Sequence, residues 1–141
     1  MIYLLDTNVI SELITSNPNK NVVSFLERLN EQDLYLSVIT IGEIKFGIEK
    51  LKDGAKKEKL LIWLNNDLFE RFEHRIIDID VNIMLKWGYI NSKLQKIGRP
   101  IPIMDALIAS TALSKNLKLL TRNEKDFKDT DVEMINPFKS I

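Results

Sequence analysis

Short apolar runs that alternate with longer amphipathic segments restrict the fold of this chain more than any other feature. Runs too short for a helix are consistent with buried strands, whereas apolar residues spaced by three and four indicate helices. The predicted strands are Ile2–Leu5, Leu34–Val38, Arg75–Ile79, Lys118–Thr121 and Val132–Ile135. Strands separated by helices require a parallel sheet that is covered on both faces. The sequence therefore predicts an α/β protein, a three-layer α/β/α sandwich with a central parallel sheet.

The helical segments lie between these strands and are closed by turn residues. They cover Thr7–Ser16, Asn21–Asn30, a segment ending near Lys52, Ala55–Phe72, Val81–Ile97, and a segment from about Pro102 to Lys115. The segment Val81–Ile97 is the most regular, with apolar residues at Met84, Trp87, Ile90, Leu94 and Ile97. The length of 141 residues favours a single domain spanning 1–141.

Charge and cysteine content exclude several classes of function. Lys+Arg and Asp+Glu are both 20, so the net charge is zero. Because a protein that binds nucleic acid by charge alone should be basic, this chain needs a local patch or metal ions for such binding. The absence of cysteine excludes disulfides, thiol catalysis and a thiolate zinc site. The absence of cysteine and of a signal-peptide pattern at the start together predict a cytoplasmic protein.

Polar residues follow the predicted strands at positions where ligands bind in open parallel sheets, beyond the carboxyl ends of the strands. One acid directly follows the first strand, one lies a helical turn after the second, and one opens a later helix. Two more polar residues follow the fourth strand. These residues, which we expect to face one crevice, are Asp6, Glu43, Asp105, Asn123 and Asp126.

Each of these residues also has a purely structural interpretation. Asp6 or Thr7 can cap the first helix, and Asp105 can be a first-turn acid favoured by the helix dipole. Glu43 can lie on a solvated face, and the residues after the fourth strand can be ordinary turn residues. Asp105, however, lies in a largely apolar segment, where a charged residue is rarely buried without a partner.

Carboxylates that converge on one crevice repel one another, and a divalent cation removes that repulsion. Hard oxygen ligands without histidine or cysteine select Mg²⁺ or Mn²⁺. Such a site suits phosphodiester hydrolysis, in which metal ions activate water and stabilise the leaving oxygen. The single histidine, His74, is expected on the surface, and no glycine-rich phosphate loop is present. The residues therefore point to a metal-dependent nuclease.

Four segments together resemble the PIN-domain ribonucleases, and most closely the VapC-type toxins of bacterial toxin–antitoxin pairs, including the FitB-like members. They are Leu4–Asn8, Ser37–Glu43, Asp105–Ala109 and Leu120–Phe127. The resemblance covers almost the whole chain, down to Ile135–Phe138. It implies Mg²⁺- or Mn²⁺-dependent cleavage of RNA on a parallel sheet between helices.

The resemblance also implies roles for individual residues. The first three acidic positions of the family fall on Asp6, Glu43 and Asp105, which would be catalytic metal ligands. Thr7 and Asn8 would orient these ligands through hydrogen bonds, because the orientation of ligands matters about as much as their identity.

The fourth family position falls on Asn123, an amide where some relatives carry an acid. Asn123 can coordinate a metal only through a neutral carbonyl oxygen. Asp126, three residues on, reaches the same site if the turn is helical. Which of the two completes the catalytic set, and whether one or two metals bind, stays open on the sequence.

For partners, the resemblance implies an RNA substrate, a homodimer, and a cognate VapB-like antitoxin with which the toxin binds operator DNA. Lys45, Arg99 and Arg122 lie near the motifs and are candidates for contacts with RNA phosphates.

Two other functions compete with the nuclease interpretation. A phosphotransfer protein with Asp6 as nucleophile is disfavoured, because the segment Asp6–Asn8 lacks a second acid two residues on. The second is a catalytically weak PIN domain that acts with its antitoxin as a binding and regulatory module on DNA. The amide at Asn123 leaves room for it, whereas the three intact acids argue against it.

Overall fold

Five parallel strands form one sheet in a computed structural model of the chain, which describes residues 1–140. The strands are β1 (Tyr3–Leu5), β2 (Leu34–Ser37), β3 (Ile76–Ile77), β4 (Lys118–Leu120) and β5 (Met134–Ile135). Their order across the sheet is β3-β2-β1-β4-β5. The outermost strands β3 and β5 are shorter than the sequence predicts, because each pairs with a neighbour on one side only.

Helices connect the strands, as the sequence predicts. They are α1 (Thr7–Leu13), α2 (Lys20–Glu27), α3 (Val38–Glu49), α4 (Ala55–Ile62), α5 (Phe69–Arg71), α6 (Val81–Lys96), α7 (Ile103–Lys115) and α8 (Glu124–Phe127). A 3₁₀ turn (Glu31–Asp33) precedes β2, and a π-helical segment (Trp63–Leu68) joins α4 to α5. In the part of the chain that is described, no helix has both the length and the apolar character to cross a membrane.

The core lies on both faces of the sheet, because consecutive residues of a strand point to opposite sides. Leu5 of β1 packs on one face with residues of α1, α2, α3 and the segment 60–72, among them Val9, Leu26, Ile44, Leu64 and Phe72. Leu4 packs on the other face with residues of α7, β4 and α8, among them Ile108, Ala109, Ala112, Leu119 and Phe127. This arrangement confirms the predicted three-layer α/β/α sandwich.

The buried face of α6 differs from the one that the sequence pattern suggests. Ile83, Ile90 and Leu94 are buried, whereas Met84 and Ile97 are 43% and 51% exposed. Two apolar stripes overlap on this helix, and packing against α7 selects one of them. The Asp80 side chain accepts a hydrogen bond from the backbone N–H of Ile83 at 2.9 Å, which fixes the start of the helix.

Candidate active site

Asp6 is both a helix cap and the most deeply buried acid of the site. The ladder between β1 and β4 extends one residue past the strands, since the Asp6 N–H donates to the carbonyl of Leu120 at 2.9 Å. One carboxylate oxygen accepts from the Thr7 N–H at 2.8 Å, which caps α1. The other accepts from the Thr121 hydroxyl at 2.8 Å and the Asn8 amide at 3.2 Å. The capping and functional interpretations of Asp6 are therefore compatible.

Glu43 reaches the same site from α3, which begins directly after β2 with the Ser37 hydroxyl as its cap. The Thr7 hydroxyl donates to one Glu43 carboxylate oxygen at 2.6 Å. The Thr7 oxygen also lies 3.1 Å from the hydroxyl oxygen of the buried Thr40. Thr7 thus contacts Glu43 directly, as a residue that supports a ligand must.

Asp105 lies in the first turn of α7 and is half-buried. Burial raises the pKa of its carboxyl to about 6, and the negative charges of Asp6, Asp126 and Glu43 add to the rise. Burial also raises the pKa of Asp6; the charge of Glu43 adds to this, and the hydrogen bonds to Asp6 oppose it. These carboxylates are therefore close enough to repel one another, as the sequence predicts for acids at one sheet edge.

Asn123 connects the remaining acids. Its amide nitrogen donates to Asp126 at 3.0 Å and lies 3.5 Å from a carboxylate oxygen of Asp105. Asp126 lies in the short helix α8, so the turn is helical, as its approach to the site requires. Asn123 thus faces the carboxylates as a hydrogen-bond donor. Asp126 is therefore the acid that the segment after β4 brings to the site.

The chemistry of the donor set fits a hard divalent cation. The side chains that converge carry oxygen donors, and the only histidine, His74, is exposed, as expected. A cation would also remove the repulsion that raises the pKa of Asp105. Among residues 1–140, however, no three acidic or histidine side chains lie close enough together to form a complete metal-binding site. The fit therefore rests on the donor atoms and their charges.

Thr121 is a site residue that the sequence analysis did not single out. It is fully buried, and its hydroxyl donates to Asp6 while accepting from the Asn123 N–H at 2.9 Å. It therefore links the acid after β1 to the loop after β4. Its sequence signal is its position, because Thr121 follows β4 as Asp6 follows the paired strand β1.

Replacing Thr121 with valine keeps the shape of the side chain and removes this hydroxyl. For the metal-dependent RNA cleavage that the sequence resemblance implies, we expect kcat to fall about 10- to 100-fold, the usual cost of losing a group that orients a metal ligand. Mn²⁺ affinity, measured by calorimetry, should fall in parallel. Thr121→Ser retains the hydroxyl and should stay within about threefold of the unaltered protein; equal activity of the valine and serine variants would contradict this role.

Lys45 is not brought to the carboxylates. It lies two residues after Glu43, about 200° around α3, since each residue of a helix turns about 100°. Its amino group pairs with Glu49 at 2.7 Å.

The other two predicted RNA contacts differ in their surroundings. Arg99 follows α6 and lies 3.8 Å from a carboxylate oxygen of Asp129. Arg122 directly follows Thr121, and its guanidinium lies over the ring of Phe138, 4.8 Å from the ring centre. Arg122 is therefore the candidate whose backbone belongs to the site itself.

Comparisons with known proteins show which family this sequence is similar to. The family model described as PIN domain matches residues 3–133. The toxin FitB of Neisseria gonorrhoeae is 37% identical over 135 residues, which cover 96% of this chain and 97% of that protein. Ribonuclease VapC2 of Rickettsia felis is 33% identical, with 91% of each chain covered.

Solved structures indicate the same family. The structure of FitAB bound to the IR36 DNA fragment matches with a TM-score of 0.93 and 34% identity, over 99% of this chain and 98% of the other. The resemblance drawn from the four sequence motifs is therefore confirmed. The chain belongs to the PIN-domain family, and its relatives within that family include the toxin FitB and VapC ribonucleases.

Proposed function

We propose that this chain is a metal-dependent endoribonuclease and the toxin of a VapBC-type toxin–antitoxin pair. The observation that carries the proposal is the convergence of Asp6, Glu43, Asp105 and Asp126 at one sheet edge, where their charges act on one another. Proteins maintain such repulsion at functional sites more often than elsewhere. Relatives named as ribonucleases, among them VapC2 of Rickettsia felis, support the choice of RNA.

In the proposed site, Asp6, Glu43 and Asp105 hold Mg²⁺ or Mn²⁺. When bound, the cation supplies the positive charge and Lewis acidity that phosphodiester hydrolysis needs. The protein supplies orientation: Thr121, through its hydrogen bond to Asp6, and Thr7, through its hydrogen bond to Glu43, keep two of the carboxylates in place.

Asn8 and Asn123 fix the rim of the site. The Asn8 side chain donates to Asp6 with its amide nitrogen and accepts from the Arg122 N–H at 3.1 Å with its oxygen. It therefore joins the first helix to the loop after β4. Asn123 holds Asp105 near Asp126, so that a neutral amide separates two like charges. In this proposal Asp126 occupies the fourth acidic position, and Asn123 orients it.

The proposed partner is an antitoxin of the FitA or VapB kind. FitAB, whose structure on DNA matches this chain, is a toxin–antitoxin complex. A VapBC complex of Rickettsia felis has also been solved on a DNA fragment from its promoter. A small DNA-binding protein encoded next to this chain should copurify with it and inhibit cleavage. The homodimer that the family resemblance implies remains a prediction.

The proposal is tested by cleavage of tRNAs and mRNAs by the chain after removal of any antitoxin. We expect cleavage with Mg²⁺ or Mn²⁺ and none with EDTA. Asp6→Asn, which removes a ligand charge and keeps the shape, should lose at least about 100-fold in rate. Asp67→Asn is the matched control, because Asp67 is exposed on the π-helical segment.

Cleavage that persists in EDTA, or that survives Asp6→Asn, would refute the metal-dependent mechanism. A chain that cleaves no RNA but still binds DNA together with its antitoxin would be a regulatory binding module instead.

A further inference from the structure

Arg122 differs from most other arginines of the chain. Arg71, Arg75 and Arg99 are paired with the carboxylates of Glu31 or Asp129. Over the range 1–140, no carboxylate lies within ion-pair distance of the Arg122 guanidinium, although its side chain is exposed beside a strongly acidic site. Its guanidinium lies over the ring of Phe138, as those of Arg71 and Arg75 lie over the ring of Phe72, but without their ion pairs. The cation is therefore held in position while its N–H groups remain available.

The backbone of Arg122 is fixed by the active site. Its N–H donates to the Asn8 side chain at 3.1 Å. The residue before it, Thr121, donates to Asp6, and the residue after it, Asn123, contacts Asp105 and Asp126. Hydrogen bonds of Arg122 and of the residues before and after it thus place the start of its side chain next to the carboxylates.

The ring that holds Arg122 belongs to Phe138, near the carboxyl end of the chain, and its backbone is itself well anchored. The Phe138 carbonyl accepts from the Asn21 side chain at 2.9 Å, and its N–H donates to the Asn136 side chain at 2.9 Å. Asn136 also donates to Glu124 at 3.0 Å. The segment therefore presents the Phe138 ring from a defined place between α2 and α8.

We propose that Arg122 binds a backbone phosphate of the RNA beside the cleaved bond, and that Phe138 is the positioning residue that holds its guanidinium for this contact. The inference rests on the proposed ribonuclease function. A guanidinium can stack its face on a ring while its edge binds phosphate oxygens in a bidentate manner. A chain of zero net charge with an acidic site needs such a local cation to attract a polyanion.

The test compares steady-state cleavage of one RNA oligonucleotide by single and double variants of the full chain. Arg122→Met should raise KM about tenfold and leave kcat within about twofold. Phe138→Leu keeps an apolar side chain but lacks the ring, and should raise KM about two- to fivefold. Phe138→Tyr retains the ring and should behave as the unaltered protein. In the Arg122→Met background, Phe138→Leu should have no further effect on KM.

Salt dependence gives a second readout, which loss of packing alone would not change. RNA binding is measured in EDTA with the Asp105→Asn chain, with and without Arg122→Met. The slope of log affinity against log salt should become less steep by about one for the loss of one phosphate contact. Phe25→Leu is the matched control for Phe138→Leu. Phe25 lies under the exposed Arg28 in the same kind of contact, 5.9 Å from ring centre to guanidinium.

Two outcomes overturn the inference, and they are distinguishable. If the chain cleaves RNA but Phe138→Leu raises KM equally with and without Arg122, then Phe138 acts through packing alone and this inference fails by itself. If the chain cleaves no RNA with Mg²⁺ or Mn²⁺, the proposed function fails and the inference fails with it.

Discussion

Asp105→Asn should make the metal-free protein more stable at neutral pH while lowering its RNA cleavage by at least about 100-fold. On the proposed mechanism, cleavage falls because the variant loses a charged metal ligand. Stability rises because the charged carboxyl of Asp105 is half-buried near Asp6, Glu43 and Asp126. An amide of the same shape carries neither the repulsion nor the desolvation of the charge.

The sign of the pH dependence follows from the pKa of Asp105, which rises from 3.8 to about 6 on folding. The folded protein binds this proton more tightly than the unfolded chain. The contribution of Asp105 to the free energy of unfolding therefore falls as pH rises from about 3.8 to about 6. Above that range the penalty is complete, about 1–2 kcal/mol once solvent screening of a half-exposed group is allowed for.

Thermal unfolding in EDTA measures this effect. At about pH 8, Asp105→Asn should melt roughly 3–7 °C above the unaltered chain, and at about pH 4 the difference should largely vanish. Asp67→Asn, at an exposed position, should change neither the melting temperature nor cleavage. Equal melting temperatures of the Asp105 variant and the parent at about pH 8 would mean that the carboxylates do not strain the fold.

Arg75→Met should be the most destabilising of the substitutions considered, with a loss of about 3–4 kcal/mol in the free energy of unfolding. Arg75 is buried, and one guanidinium nitrogen donates to the carbonyls of Glu31 and Leu34, each at 2.6 Å. The other donates to the carbonyl of Arg71 and the carboxylate of Glu31. Methionine can fill the space, but it removes the donor from the buried bond to the Leu34 carbonyl and from the part-buried bonds to the carbonyls of Glu31 and Arg71.

The measurement is urea or thermal unfolding, with an expected fall in melting temperature of about 10–14 °C. Arg71→Met is the matched control, because Arg71 binds the same Glu31 side chain but on the exposed surface. It should cost at most about 1 kcal/mol, as surface ion pairs do. If the two variants lose the same stability, burial of the Arg75 hydrogen bonds does not contribute. Well below its melting temperature, the Arg75 variant should still cleave RNA.

The order of strands and helices was predictable because it depends on local patterns. Short apolar runs predict strands at Ile2–Leu5 and Lys118–Thr121, and the structure has them at Tyr3–Leu5 and Lys118–Leu120. In parallel sheets the ends of such strands face one edge. Asp6 and Asp105 could therefore be assigned to one crevice before any contact was known, and the PIN-domain motifs gave the same assignment.

The end points of elements were less predictable. Helix α1 ends at Leu13, before the predicted Ser16, and α2 begins at Lys20 because the Asn19 side chain accepts from the N–H groups of Asn21 and Val22. Both Met84 and Ile83 of α6 fit an apolar stripe, but only Ile83 is buried in this helix, which packs against α7. Long-range packing, which leaves no spacing in the sequence, decides between such local alternatives.

By itself, the sequence determined the fold class, the family and the acids of the candidate site, because hydrophobic period and motif order are local properties. Only the tertiary structure decided how those acids are held. Thr121 meets Asp6 across 115 residues of chain because β4 is the neighbour of β1 in the sheet. Arg122 meets Phe138 because the end of the chain is bound to α2. Such pairings depend on the order of strands and on the docking of the last residues, neither of which has a local sequence signal.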